Sequence, residues 1–187
     1  CVGIVVKAKV GNKLCALKIR RTDADRETMY NEAHLQKIAN SMAVGPIIEG
    51  HTKNFITMGF VAGESIIDWI SKNPAHSKVR ALSRDILEQC YRLDRIGLGH
   101  GELSRMARHV IISDKPHIID FESASTRRRT CNVTAASQSI FLFGTLANKV
   151  KNIMGNSDKE KVMHRLKAYK DSHTRDNFDA LLDSLSI

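Results

Sequence analysis

The sequence predicts an α+β fold: a small antiparallel sheet carrying one helix, followed by a reduced, mostly helical part. Three observations predict it. Two β-prone runs, Val2 to Val10 and Leu14 to Arg20, flank Gly11-Asn12-Lys13, which is a hairpin signal. One helix-periodic stretch, Arg26 to Asn40, intervenes before the next short strands, Pro46 to Glu49 and Asn54 to Phe60, with a turn expected at Gly50. Beyond Gly63 the pattern is helical except for one hairpin.

That second part reads in order as follows. Ser65 to Ser71 forms a short helix ended near Pro74, and Lys78 to Ile96 a longer one with Leu82, Ile86 and Leu93 on one stripe. Gly97 and Gly99 stop the longer helix. Val110 to Ile112 and His117 to Ile119 pair about Asp114-Lys115-Pro116. Thr134 to Gly155 is expected to be helical with Thr134 as its cap, and the last thirty or so residues make one or two amphipathic helices. The boundary between the two parts falls close to Gly63, dividing the chain into 1–60 and 61–187.

Composition narrows the function classes. At 187 residues, 42% apolar and 26% charged, the chain can bury a core. It has no run of eighteen apolar residues and no charged-then-apolar start, so neither a spanning helix nor a signal peptide is expected. Cys1, Cys15, Cys90 and Cys131 are scattered without a C-x-x-C pair, which reads as reduced cytoplasmic thiols. A formal charge of +9 favours an anionic partner or marks a solvated basic face, while 5% aromatics offer no stacking platform for single strands.

Four residues carry the candidate chemistry. The period of two in Leu14-Cys15-Ala16-Leu17-Lys18-Ile19 puts Leu14, Ala16 and Lys18 on one strand face, where the lysine either snorkels to water or meets an anion. Glu32 lies between Met29 and Leu35 on the apolar stripe of the following helix, and an ionised carboxylate there needs a partner, Lys18 being available. Asp120 closes the apolar run His117-Ile118-Ile119, a placement that suits a carboxylate ligand of a hard cation. Glu102, in His100-Gly101-Glu102-Leu103-Ser104, sits just past a helix, where a carboxylate can accept a hydroxyl proton or simply cap a turn.

Taken in this order the motifs resemble the protein-kinase superfamily, and most of all its small atypical branch, the RIO kinases and the kinase subunit of the KEOPS complex. Cys-Ala-Leu-Lys-Ile at 15–19 resembles the V-A-I-K strand, and Asn-Glu-Ala-His-Leu at 31–35 the helix that supplies its glutamate. Ile56 to Gly63 resembles the hinge, His100-Gly101-Glu102 stands where the branch has H-G-D, and Asp120-Phe121-Glu122 where most kinases have D-F-G. Gly3-Ile4-Val5 resembles the end of G-x-G-x-x-G-x-V, so the first strand and earlier glycines are expected upstream of Cys1. The resemblance runs from residue 1 to about 125.

The resemblance implies a two-lobed fold and ATP-dependent phosphoryl transfer to a serine or threonine hydroxyl, with the protein itself among the candidate substrates. It makes Lys18 the phosphate-contacting lysine fixed by Glu32, Asp120 the metal ligand, and Glu102 the group that orients or deprotonates the hydroxyl, with Ser104 and Arg105 lining the transferring phosphate. Gly3, Val5, Ala16, Lys18, Met58, Gly59, Phe60 and Ile119 would hold ATP, with Mg2+ or Mn2+ as the metal.

The sequence departs from the family pattern in five places. Glu102 replaces the catalytic aspartate, one methylene longer. His109 stands two residues past the slot of the second metal-binding asparagine, a role it could fill for manganese unless Ser104 or a water fills it. Glu122 replaces the glycine of D-F-G, and Gly101 replaces the arginine that answers a phosphorylated activation loop. No A-P-E follows. Thr126 to Thr130, with Arg127, Arg128 and Arg129, stands there instead, either to meet an acidic substrate or RNA or as a solvated loop. Two other functions fit the same residues: an ATPase switch in an RNA or ribosome assembly, and a pseudokinase scaffold that binds RNA.

Overall fold

The computed structural model describes residues 3–23 and 27–187. Cys1, Val2, Ala24, Asp25 and Arg26 lie outside the described residues, and with them fall the expected start of the first strand and of the first helix. The fold is mixed α+β with a small antiparallel sheet.

The chain opens with β1 (Gly3–Val10) and β2 (Lys13–Arg20), an antiparallel hairpin whose register pairs Val10 with Lys13. Its loop is therefore two residues long. Gly11, the first of them, has φ +59°, the left-handed conformation such a tight loop demands. β4 (Phe55–Gly59) pairs with β2, and β3 (Ile48–His51) pairs with β4, giving the order β1-β2-β4-β3. The turn expected at Gly50 lies instead at Thr52 to Asn54, where the Thr52 hydroxyl accepts the N–H groups of Asn54 and Phe55. Gly50 is inside β3, at a shift of register between Ile48 and Gly50.

Helix α1 (Tyr30–Ser41) packs on this sheet. It starts later than the periodicity predicts because Met29 leaves the helical conformation and its N–H is taken by the Lys53 carbonyl at 2.9 Å. Met29, Glu32 and Leu35 are all buried, as the stripe requires. Two polar side chains tie the helix to the strand beside it. Gln36 Nε2 donates to the Pro46 carbonyl at 2.7 Å, and Asn40 accepts from the Ile48 N–H at 2.9 Å while donating to Pro46 O at 3.0 Å.

Next come β5 (Glu64–Ser65), α2 (Ile66–Ser71) and α3 (His76–Arg95). The Ser65 hydroxyl caps α2 by accepting the Asp68 N–H. Gly63, at the expected boundary, is needed for close approach: a Cβ there would lie 2.2 Å from the Ile112 carbonyl oxygen. A 3-10 turn over Leu103–Arg108 leads into β6 (Val110–Ile112) and β7 (Pro116–Ile118), which complete a second sheet in the order β5-β6-β7.

The single helix expected over Thr134 to Gly155 is two. α4 (Asn132–Ser137) runs into a π turn over Gln138–Leu142, the backbone extends at Phe143, and α5 (Gly144–Met154) follows. Thr134 does not cap anything. It lies inside α4 with its hydroxyl buried and unpaired, because Asp94 takes over the capping of that helix end. α6 (Lys159–Asp171) and α7 (Arg175–Ser184) close the chain, capped by Asp158 and Thr174.

Among the described residues most buried apolar side chains fall in two clusters. Met29, Ala33, Ile56 and Met58 make the smaller one between α1 and the four-stranded sheet. The larger one joins α2 to α7, the second sheet and the end of α1, with Phe121, Tyr169 and Phe178 wholly buried. Among the described residues no helix is long and apolar enough to cross a membrane.

Candidate functional site

Strand register assembles one wall of the site. β1–β2 pairing sets Val5 opposite Lys18, and β2–β4 pairing sets Lys18 opposite Ile56 and Ala16 opposite Met58. Since strand residues alternate faces, Gly3, Val5, Ala16, Lys18 and Met58 share one. That face opens on a cavity of about 210 Å³. All eight residues expected to hold a nucleotide line it: Gly3, Val5, Ala16, Lys18, Met58, Gly59, Phe60 and Ile119. The wall also contains Val61 of the expected hinge, and Gln36, Pro46 and Ile111, which the sequence reasoning did not find. Among the described residues a recess of about 780 Å³ adjoins this cavity, sharing Pro46, Gly59, Phe60 and Val61, and two of about 390 Å³ lie elsewhere; none of these recesses contains the ion cluster described next.

Lys18 is the centre of that cluster. Its Nζ lies 2.6 Å from Glu32 Oε1, 2.8 Å from Asp120 Oδ1 and 3.2 Å from Glu122 Oε2. Gly3 permits this packing, because a Cβ there would stand 3.0 Å from Lys18 Cγ and 2.9 Å from the Ile19 carbonyl oxygen. Burial opposes the charge on Lys18, but the Glu32 and Asp120 carboxylates outweigh it and hold the ammonium above the usual lysine range. Burial also opposes ionisation of Asp120, where the adjacent ammonium more than compensates and the carboxyl ends below its usual range. For Glu32 the balance is reversed. It is the most buried of the three acids, it shares one ammonium with Asp120 and Glu122, and its carboxyl is raised. Its second oxygen, Oε2, is buried without a hydrogen bond.

Asp120 reaches the cluster at a backbone cost. Its φ is +68°, left-handed for a non-glycine residue, and this directs its carboxylate at Lys18 while Phe121 enters the core. Gly45, itself at φ +79°, leaves the room that the Phe121 ring fills.

The loop carrying Glu102 is anchored to the same segment. His100 is wholly buried, its Nε2 3.0 Å from the Ile119 carbonyl, and its Nδ1 accepts the Glu102 N–H at 3.4 Å. Those contacts fix a neutral ring protonated on Nε2. Burial accounts for most of the fall in its pKa, to about 4, and His109 adds to it. Below this, Gly99 and Ser125 exchange both backbone hydrogen bonds, at 2.9 and 2.8 Å, an antiparallel bridge that brings Gly101 opposite Ser123.

Glu102 itself is held on both oxygens. Ser123 Oγ donates to Oε1 at 2.5 Å, and His109 Nε2 lies 3.1 Å from Oε2. The Ser123 hydroxyl is the main reason the Glu102 carboxyl sits below its usual range. Ser104 and Arg105 are exposed on the 3-10 turn, which is pinned by buried Leu103 and Met106. His109, expected as a metal ligand, is buried with one ring nitrogen facing Glu102 and the other, Nδ1, unpaired. The arginine run is tied down in part: Arg128 donates to the Ser123 carbonyl at 2.5 Å, and Arg129 to that of Lys170.

No protein-family model matches this chain. It is similar to an uncharacterized protein of Methanocaldococcus jannaschii, 29% identical over 94 residues that make up 50% of this chain and 80% of the relative.

Proposed function

We propose that this chain is an ATP-dependent phosphotransferase with the two-lobed architecture of the protein-kinase superfamily, acting on a serine or threonine hydroxyl. In this reading residues 1–60 form the smaller lobe and 61–187 the larger, and the cavity is the cleft between them. One observation carries it: Lys18, buried in the wall of an apolar cavity, is held by a helix glutamate and an aspartate 102 residues downstream. A buried ammonium kept charged by two carboxylates is expensive to build and suits a phosphate-binding role.

Each side chain then has a task. Lys18 holds the phosphates nearer the nucleoside, and Glu32 keeps its ammonium in place. The Met58 to Phe60 backbone holds the base, with Val5 and Ala16 against its faces. Glu102 orients and deprotonates the acceptor hydroxyl, while Ser104 and Arg105, on the open side of the same loop, face the transferring phosphate.

The residues present also fit a divalent cation. One ammonium stands against three carboxylates, so the cluster keeps a negative excess, and its ligand atoms are all oxygen, as magnesium prefers. Asp120, the most exposed of the three, would hold the ion beside Glu122. The ion, when bound, would neutralise phosphate charge. His109 is better read as a positioning residue for Glu102, since that is the carboxylate its ring faces.

The test is incubation with γ-labelled ATP, first with magnesium and then with manganese, for the native chain and Asp120→Ala. Label on protein that vanishes in the variant is the expected result. Free phosphate without labelled protein would make the chain an ATPase switch. Neither signal would reject the reading and leave a scaffold, for which salt-sensitive RNA binding by the Arg127–Arg129 surface is the next assay.

A further inference from the structure

We propose that Ser123 is an intramolecular phosphoacceptor, its hydroxyl taking the terminal phosphoryl group of a nucleoside triphosphate bound in the cavity. The inference rests on the phosphotransferase reading and adds the identity of an acceptor. Its basis is the 2.5 Å hydrogen bond from Ser123 Oγ to Glu102 Oε1. A hydroxyl donating at this distance to a fixed carboxylate is the ground state that general-base catalysis requires.

The contact is built into the fold. The Gly99–Ser125 bridge sets the two segments opposite each other, and Gly101 allows them to close, since a Cβ there would lie 2.5 Å from the Ser123 carbonyl oxygen. The other Glu102 oxygen is occupied by His109, so the carboxylate cannot turn away. Ser123 is half-buried and three residues beyond Asp120, which binds the Lys18 ammonium. The nucleophile therefore lies three residues from the carboxylate read as the ion ligand, on one short segment.

In the step itself, Ser123 Oγ forms the bond to the terminal phosphorus as the P–O bond to the ADP oxygen breaks. The electron pair leaves with ADP, and the hydroxyl proton passes to Glu102 and on to solvent. The phosphoserine so formed carries roughly −1.5 to −2 charges beside Glu102 and is expelled from it. Arg128 already donates to the backbone of the same residue and is placed to receive the phosphate. Expulsion frees Glu102 Oε1 for an external hydroxyl. The unmodified chain thus occupies its own base.

The experiment is phosphosite mapping by mass spectrometry on the full chain after incubation with ATP and magnesium, over a range of protein concentrations. Ser123→Ala and Ser123→Thr are run in parallel, with nucleotide-dependent thermal stabilisation as a separate readout. The expected result is one phosphoryl group on Ser123, acquired at a rate independent of protein concentration. It should be lost in Ser123→Ala and recovered as phosphothreonine in Ser123→Thr, with nucleotide still stabilising all three. ADP formation or labelling elsewhere with Ser123 unmodified would overturn the proposal, leave the phosphotransferase reading intact and reduce Ser123 to positioning Glu102. Labelling of Ser123 that scales with concentration would overturn the intramolecular step. Absence of both nucleotide-dependent stabilisation and ADP would overturn this proposal together with the reading beneath it. Mapping on the native chain decides the matter even if a variant fails to fold.

Discussion

The Asn132 side chain donates to Asp94 Oδ1 at 2.8 Å and accepts the backbone N–H of His100 at 2.8 Å, linking a buried acid of α3 to the loop that carries Glu102. Asp94 also accepts the backbone N–H groups of Asn132 and Val133 and the hydroxyl of Tyr169, which burial and this carboxylate together hold strongly protonated. The acid is fully satisfied and closes the N-terminus of α4.

Removing that acid should therefore be costly. Asp94→Ala strands four donors in the core and is expected to destabilise the fold by about 3–5 kcal/mol, read from denaturant midpoints. Tyr169→Phe removes one neutral donor and should cost about 1 kcal/mol. The Asp94 variant should also lose phosphoryl transfer at temperatures where it is still folded, because Asn132 then no longer fixes His100. Equal midpoints for the native chain and Asp94→Ala would dismiss the network as ornamental.

The stability of the protein should fall on acidification through His100. In the folded chain its pKa is about 4, against 6.5 for an unperturbed ring. Between those values the unfolded chain binds the extra proton and the folded one does not, so stability rises with pH through the window. The contribution is complete above about 6.5 and lost as pH falls toward 4. From neutral pH to about pH 5 the loss should be about 2 kcal/mol. His100→Gln keeps a donor for the Ile119 carbonyl without a titrating ring. It should be less stable at neutral pH, but its pH dependence over this range should be flatter by that amount.

Lys18→Met tests the ion cluster by leaving three carboxylates without their ammonium. Stability should drop by about 3–5 kcal/mol at neutral pH, and part of that loss should be recovered with millimolar magnesium or on mild acidification. Nucleotide-dependent stabilisation should disappear in the same variant. A chain that melts like the native one and still responds to nucleotide would remove Lys18 from the binding role.

The local pattern carried much of this. Period two placed Lys18 with Ala16 and period 3.6 placed Glu32 between Met29 and Leu35, while the residues expected at a nucleotide followed from the kinase resemblance and line one cavity. What stayed hidden depends on long-range pairing. Nothing near Ser123 in the sequence signals that it meets Glu102, since their contact is set by the Gly99–Ser125 bridge. Asp94 looked like an ordinary polar position of α3, and its partners lie 38 and 75 residues away. The break at Phe143 is marked in the sequence only by Gly144, whose φ of +92° leaves the helix, a lone glycine that a helical stretch can otherwise tolerate. One available cue went unused: Asp120 and Glu122 flank a phenylalanine, so burying Phe121 turns both acids to the cleft side.

Gly101 is the position where the resemblance and the packing pull hardest in opposite directions. An arginine belongs there by the commoner kinase pattern, yet here φ is +94° and an added Cβ would lie 2.5 Å from the Ser123 carbonyl oxygen and 3.2 Å from the Arg128 guanidinium. The Arg128 guanidinium comes to the same place from the other strand of the bridge. Gly101→Ala should therefore cost about 1–3 kcal/mol from backbone conformation alone, with the steric clash adding to it. It should also push Ser123 away from Glu102, so the Glu102 carboxyl loses its main stabilising donor and titrates higher. For transfer to an external hydroxyl by the unphosphorylated chain, the acidic limb of the rate–pH profile should move to higher pH in Gly101→Ala and in Ser123→Ala alike. Arg128→Ala, which leaves the Ser123 hydroxyl in place, should keep the limb where it is in the native chain. A limb that moves in the Arg128 variant but not in the other two would locate the control of Glu102 in the guanidinium rather than in the serine.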